Sequence, residues 1–314
     1  EIQHVFSTSF MTHDSISKSK SFKKNFFLSK GEFIGQRLIP TERDLRYLWE
    51  EIAQQELDEQ AQKLRQSLRK AIINWVKESG EAEDYTQNIP LQCVHPVGHW
   101  FEFPNMLLNG VLQKLIIQNP SLNYILMHNV DTLGANADPY LLGKHILSEK
   151  SMSVEVIKRN IDDQGGGLAK VDGKIRLIEG MALPDEEIEF RLSYYNSATF
   201  WLSIDKILSA FNLTRNDLND PQKIKNAVVE LSFRIPTYIT IKDVKKRWGK
   251  GQEDIYPVMQ FEKIWGDMTA LPEIDSNFIL VDRNRGQQLK LVNQLDGWLR
   301  DGSAEYIDSI CSWE

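Results

Sequence analysis

The segment His128–Pro139, HNVDTLGANADP, places the carboxylate of Asp131 between Asn129 and Gly134, directly after the apolar run Tyr124-Ile125-Leu126-Met127. An apolar run of that length reads as a buried strand, so Asp131 falls just past the carboxyl end of a sheet, where α/β folds gather their ligands. A carboxylate held there, with a glycine to turn the chain away, is suited to hold a divalent cation against a phosphorylated ligand. The plainer reading is an Asp that caps the following turn. Three further groupings have chemical content. His95-Pro96-Val97-Gly98-His99 offers imidazoles on a stiffened loop, or an ordinary strand-to-helix turn. Gly165-Gly166-Gly167 exposes backbone amides toward a sugar or phosphate, or simply bends the chain. Glu179 closes a strand after Ile175, Leu177 and Ile178, where it accepts from sugar hydroxyls or lies at a solvated sheet edge.

Strands and helices must position these groups. From Ile89 the pattern alternates: strand Leu91–Val94, helix Asn105–Asn119, strand Leu122–Asn129, helix Pro139–Leu147. An antiparallel section follows, with strands at Met152–Lys158, Gly167–Val171, Lys174–Glu179 and Tyr194–Ile204; Asp172-Gly173 is a two-residue hairpin signal because both residues tolerate positive φ. Helix and strand then alternate through Lys206–Ala210, Gln222–Val229, Arg234–Ile241, Pro257–Trp265, Asn277–Val281 and Leu291–Arg300. The expected fold is α/β, a mixed, mostly parallel Rossmann-like sheet flanked by helices. Thr41–Glu78 repeats Leu45, Leu48, Ile52, Leu64, Leu68, Ile72 and Trp75 near helical spacing. It reads as an amphipathic helical insertion that packs on its own domain, with self-association through residues 41–78 as the functional alternative.

Composition narrows the classes. At 314 residues and 41% hydrophobic the chain can bury a sizeable core, and a net charge of −7 argues against a general nucleic-acid binder. No apolar run reaches membrane-spanning length and no signal-peptide pattern opens the chain. Cys93 and Cys311 lie far apart without ligand spacing, which favours a reducing compartment. The sequence opens on Glu1, and the expectation is that it begins inside a larger fold.

The order of the motifs resembles the UDP-glucose pyrophosphorylase (UTP–glucose-1-phosphate uridylyltransferase) family. That family carries a PxGHxxxY/F loop, a strand ending in an N[VI]DNLGAxxDP-like sequence, a GG pair, a hairpin ending EGKxRLxE, and an asparagine-rich strand leading to Trp. Here stand Pro96-Val97-Gly98-His99 with Phe103, Asn129 to Asp138, Lys158, Gly165-Gly166, Asp172 to Glu179, and Tyr195-Asn196-Ser197-Ala198-Thr199-Phe200-Trp201. The resemblance implies a nucleotide-diphospho-sugar transferase type of fold with an antiparallel sugar-binding section. The resemblance is firm from about Ile89 to Asp205 and thinner over Glu1–Gln36 and after Ile235; the expected α/β domain is residues 1–290, with the insertion at 41–80 and a carboxyl-terminal helical tail at 291–314. It implies that Gly98 and His99 line the uracil and sugar side of the nucleotide, and that Asn129 and Asp131 meet sugar, phosphates and Mg²⁺. Gly165, Gly166, Glu179 and Asn196 match positions that hold the hexose. Asp131 as metal ligand, Lys158 and Arg283 form the implied catalytic set.

The implied reaction is attack of a sugar-1-phosphate oxygen on the α-phosphorus of UTP with release of pyrophosphate, driven by positioning and charge neutralisation. The implied setting is soluble and intracellular, in cytoplasm or plastid stroma. The departures are specific. No glycine-rich triphosphate loop precedes His99, and Ala198 and Thr199 replace asparagines. Trp100 replaces a glycine and is expected to narrow the pocket. Asp282 stands where a phosphate-binding lysine is usual, so Arg283 or Arg285 is the candidate substitute. A catalytically silent nucleotide-sugar-binding module therefore stays open beside the enzyme, as does an N-acetylhexosamine-1-phosphate substrate, for which Ala198 frees space.

Overall fold

The computed structural model describes residues 2–19, 26–38, 94–161, 163, 165–183, 186–248, 252–290 and 292–311. The amphipathic stretch Thr41–Glu78 and most of the expected strand Leu91–Val94 lie outside them. Strands are numbered along the chain: β1 (His4–Thr8), β2 (Phe26–Lys30), β3 (Ile34–Gln36), β4 (Val94–Pro96), β5 (Tyr124–His128), β6 (Met152–Lys158), β7 (Gly167–Val171), β8 (Lys174–Ile178), β9 (Tyr194–Ser203), β10 (Tyr238–Trp248), β11 (Gln252–Glu262) and β12 (Ser276–Leu280). The chain divides into two compact units, residues 1–101 with 237–263, and residues 102–236 with 264–314.

In the first unit β1 pairs in parallel with β2, β3 pairs antiparallel with β4, and β10 and β11 form a long antiparallel hairpin. A bridge from Leu38 to Met259 ties that hairpin to the segment after β3. The strand expected to start at Arg234 starts at Tyr238, and Arg234 instead ends the helix Pro221–Arg234 of the second unit.

The second unit is built on a mixed sheet. β5, β6 and β12 run in one direction and β9 runs against them, pairing antiparallel with both β5 and β6, while β12 joins β6 in parallel. The β7–β8 hairpin hangs from β9 through the pair Gly167 and Tyr195. Its turn residues Asp172 and Gly173 have φ of 50° and 83°, the conformation that the two-residue turn requires. β6 is buried from Met152 through Ile157, as a strand covered on both faces must be.

Helices cover the sheet. The segment expected as one helix over Asn105–Asn119 is two, Glu102–Leu108 and Val111–Gln118, parted at Gly110 with φ of 72°. Helix Pro139–Ser148 starts where proline costs least: Asp138 accepts from the amides of Tyr140 and Leu141, and Pro139 takes the first helical position. Its Leu141 packs on Trp201 of β9 and Ile279 of β12. Beyond β12 come the helices Arg283–Gly286, Gln294–Asp301 and Ser303–Ile310. Among the described residues no helix is long and apolar enough to cross a membrane.

Candidate functional site

Four pieces of chain converge in the second unit: the loop after β5, the glycine segment before β7, the end of β8, and the turn that follows helix Arg283–Gly286. A local irregularity in β9 prepares the place. The β6–β9 register shifts between Glu155 and Val156, and Ala198 adopts a φ of 54°. The Asn196 side-chain oxygen accepts from the Ala198 amide at 3.0 Å and braces the distortion. Bulges of this kind re-aim side chains beside binding sites. Here the Ser197 carbonyl is turned to accept from Thr132 Oγ1 at 3.2 Å and Gln288 Nε2 at 3.4 Å.

Asp131 lies in the loop after β5, as its sequence position implied. Its carbonyl accepts from the Leu289 amide at 2.9 Å, whereas its Oδ1 is buried and has no hydrogen-bond partner. An unpartnered buried carboxylate oxygen is costly, and a cation is one way to satisfy it. Asn129 closes the same loop by accepting the Thr132 amide on its carbonyl at 3.1 Å. Among the described residues no group of three or more His, Cys, Asp or Glu is arranged to hold a metal. A single unpartnered carboxylate oxygen of this kind suits a hard cation that draws its remaining ligands from phosphates and water, which is the habit of Mg²⁺.

The loop is held from behind by a buried ion pair. Arg285 Nε and Nη2 donate to Glu155 at 2.6 and 2.9 Å, and the same guanidinium donates to the Asn136 side chain at 2.6 Å and carbonyl at 2.8 Å. Glu155 also accepts from Trp201 Nε1 at 2.8 Å and is fully buried.

On the other side, Glu179 Oε2 accepts from the Gly166 amide at 3.1 Å, and the Asn196 side chain also hydrogen-bonds the carboxyl. Burial pushes the Glu179 carboxyl above the usual range, against the pull of the Gly166 amide, the Lys290 charge and Asn196. Gly166 must be glycine for space, because a Cβ there would stand 2.7 Å from the Glu179 carboxyl carbon and from the Ile178 carbonyl oxygen. Arg159 fastens the glycine segment by donating to the carbonyls of Gly165 at 2.7 Å and Gly166 at 3.1 Å, while Glu189 accepts the Gly165 amide at 2.6 Å.

Gln287–Lys290 joins the two sides. Besides the Leu289 amide on Asp131, Gln288 Oε1 accepts from Tyr195 Oη at 2.7 Å, and Lys290 Nζ donates to Tyr195 Oη at 3.1 Å. Burial raises the Tyr195 phenol, so it stays a neutral donor.

Asp131, Asn129, Gly165, Gly166, Glu179 and Asn196 thus share the second unit with Lys158 and Arg283. Lys158 ends β6 exposed to solvent, and its carbonyl accepts from Arg283. Arg283, expected as a stand-in for a phosphate-binding lysine, grips Asp163 with two bonds of 2.9 and 2.8 Å, and Arg285 is spent on Glu155. Asp282 caps the helix that carries both by accepting the Asn284 amide. Gly98 and His99 belong to the first unit. There Gly98 packs so closely that a Cβ would stand 2.5 Å from the Lys263 carbonyl oxygen, and His99 is exposed on a short 3₁₀ turn. Trp100 is fully buried. Sequence reasoning missed Gln288 and Lys290, which no local pattern marks.

A family model described as UTP–glucose-1-phosphate uridylyltransferase matches residues 62–246. The UTP–glucose-1-phosphate uridylyltransferase of Solanum tuberosum is 28% identical over 144 residues, covering 43% of this chain and 30% of that protein. Among solved structures, a mutant UDP-glucose pyrophosphorylase from Leishmania major in complex with UDP-glucose aligns with a TM-score of 0.54 at 17% identity, over 92% of this chain and 53% of that one. A putative UDP-N-acetylglucosamine pyrophosphorylase from Entamoeba histolytica aligns with a TM-score of 0.56 at 14% identity, over 94% of this chain and 62% of that one. The sequence match thus covers under a third of the potato protein, and the structural match about half of the Leishmania chain.

Proposed function

The chain belongs to the UTP–glucose-1-phosphate uridylyltransferase family, and from that premise we propose that it supplies the sugar and metal side of a site that forms UDP-glucose from UTP and glucose-1-phosphate, releasing pyrophosphate. The observation that carries this reading is the pairing of two differently prepared carboxylates in one unit. Asp131 keeps a buried oxygen without a partner, and Glu179 is oriented by the Gly166 amide and Asn196. The first suits a cation beside phosphates. The second suits hydroxyls of a hexose, which donate to a fixed acceptor.

Asp131 would hold Mg²⁺, and the bound ion would neutralise phosphate charge. Glu179, Gly166 and Asn196 orient the hexose, and the Arg159–Glu189 contacts keep the glycine segment from yielding. No side-chain nucleophile is needed, because one substrate's phosphate oxygen attacks the other's phosphorus. The scarcity of cysteines accords with an intracellular setting, cytoplasm or plastid stroma.

Calorimetric titration with UDP-glucose tests the reading. Binding is expected to strengthen with Mg²⁺, and Asp131→Ala to abolish the Mg²⁺-dependent part while leaving the rest. Equal Mg²⁺ response in both proteins would remove the metal role from Asp131. A parallel titration with UDP-N-acetylglucosamine decides whether the space beside Ala198 admits the larger sugar.

A further inference from the structure

Among the described residues, the guanidiniums of Arg283, Arg285 and Arg159 are each paired with a carboxylate: Arg283 with Asp163, Arg285 with Glu155, and Arg159 with Glu189. A ligand that joins a sugar held at Glu179 to phosphates held at Asp131 carries its negative charge between those two points. The segment Gln287–Lys290 touches the Asp131 backbone on one side and Tyr195 on the other. Its Leu289 amide bonds the Asp131 carbonyl at 2.9 Å, and the next residue's ammonium bonds Tyr195 Oη at 3.1 Å while acting on the Glu179 carboxyl by its charge.

We propose that Lys290 is a substrate-binding residue whose ammonium grips the phosphate oxygens linking the hexose to the nucleotide. This rests on the uridylyltransferase reading above.

The geometry gives Lys290 a fixed direction. Tyr195 is buried, with Arg159 lying over its ring at 5.3 Å and Gln288 accepting from its hydroxyl, so the phenol is a rigid mooring. The Lys290 backbone amide donates to Gln294 Oε1 at 2.7 Å, which anchors the other end of the side chain. An ammonium has three donors in tetrahedral array and can hold the phenol oxygen and an anionic oxygen together. A lysine is also a compact point charge that tolerates the changing orientation of a phosphate, unlike a guanidinium locked to a planar partner. The residue as a whole is exposed, and its ammonium contact with Tyr195 is part-buried, at the edge of the candidate site.

The test uses the full chain with Mg²⁺ and UDP-glucose, comparing wild type, Lys290→Met and Lys290→Arg at low and high salt. Lys290→Met keeps the stem and removes the charge. It is expected to weaken binding by about tenfold or more and to flatten the salt dependence, and Lys290→Arg to recover most of both. Wild-type binding that Lys290→Met leaves within twofold, or weakens with no change in salt dependence, overturns the assignment while the uridylyltransferase reading stands. Failure of wild type to bind UDP-glucose at all overturns both. A merely structural role for Lys290 would lower affinity without altering the response to salt.

Discussion

Replacing Arg285 with methionine isolates the contact that holds the Asp131 loop from behind. Arg285→Met leaves Glu155, which has 0% exposure, without the two guanidinium bonds of 2.6 and 2.9 Å, retaining the Trp201 Nε1–H bond of 2.8 Å. Breaking one partner of a buried pair costs about 3–5 kcal/mol, because the remaining charge is stranded in a region that cannot solvate it. The Asn136 carbonyl and side chain also lose their donors, but they lie nearer solvent and add at most about 1 kcal/mol. Urea unfolding followed by tryptophan fluorescence measures the loss. In the double variant Arg285→Met with Glu155→Gln the stranded charge is gone and the Trp201 donor still has an acceptor. That protein is expected to regain about 2 kcal/mol over Arg285→Met. A single-variant loss below about 1 kcal/mol, or a double variant no more stable than the single, would refute the view that this pair is a strongly coupled buried contact.

In Gly166→Ala the new Cβ would stand 2.7 Å from the Glu179 carboxyl carbon and must displace it, stretching the 3.1 Å amide bond. UDP-glucose affinity should fall by about tenfold or more in calorimetry, and unchanged affinity would free Glu179 from the sugar role. Gly143→Ala in helix Pro139–Ser148, where nothing lies within 4 Å of the added Cβ, is the control and should raise stability by about 0.5–1 kcal/mol. Burial, aided by the Lys206 charge, lowers His145 to about 4, so the native protein binds fewer protons than the unfolded chain between there and 6.5. Stability present above pH 6.5 is therefore lost as pH falls through that window toward about 4, by up to about 3 kcal/mol. His145→Gln should flatten this slope in urea titrations at successive pH values, and parallel curves for the two proteins would contradict it.

What the sequence determined by itself was local. β6 and β7 begin and end where alternation and apolar runs placed them, and Asp172-Gly173 forms the turn its residues favour, because these features depend on neighbours a few positions away. Motif order carried the family. The division of labour among cations was decided by tertiary structure alone. Arg283 and Arg285 looked available in the sequence, and their partners Asp163 and Glu155 stand 120 and 130 residues away. The β9 distortion at Ala198 was equally hidden, since it arises from register against β6 and from a positive φ that alanine itself does not favour. Lys290 has no local signature at all. Its contact with Tyr195 exists because the segment after β12 folds back on that residue, and a contact made by chain return is written in no window of sequence.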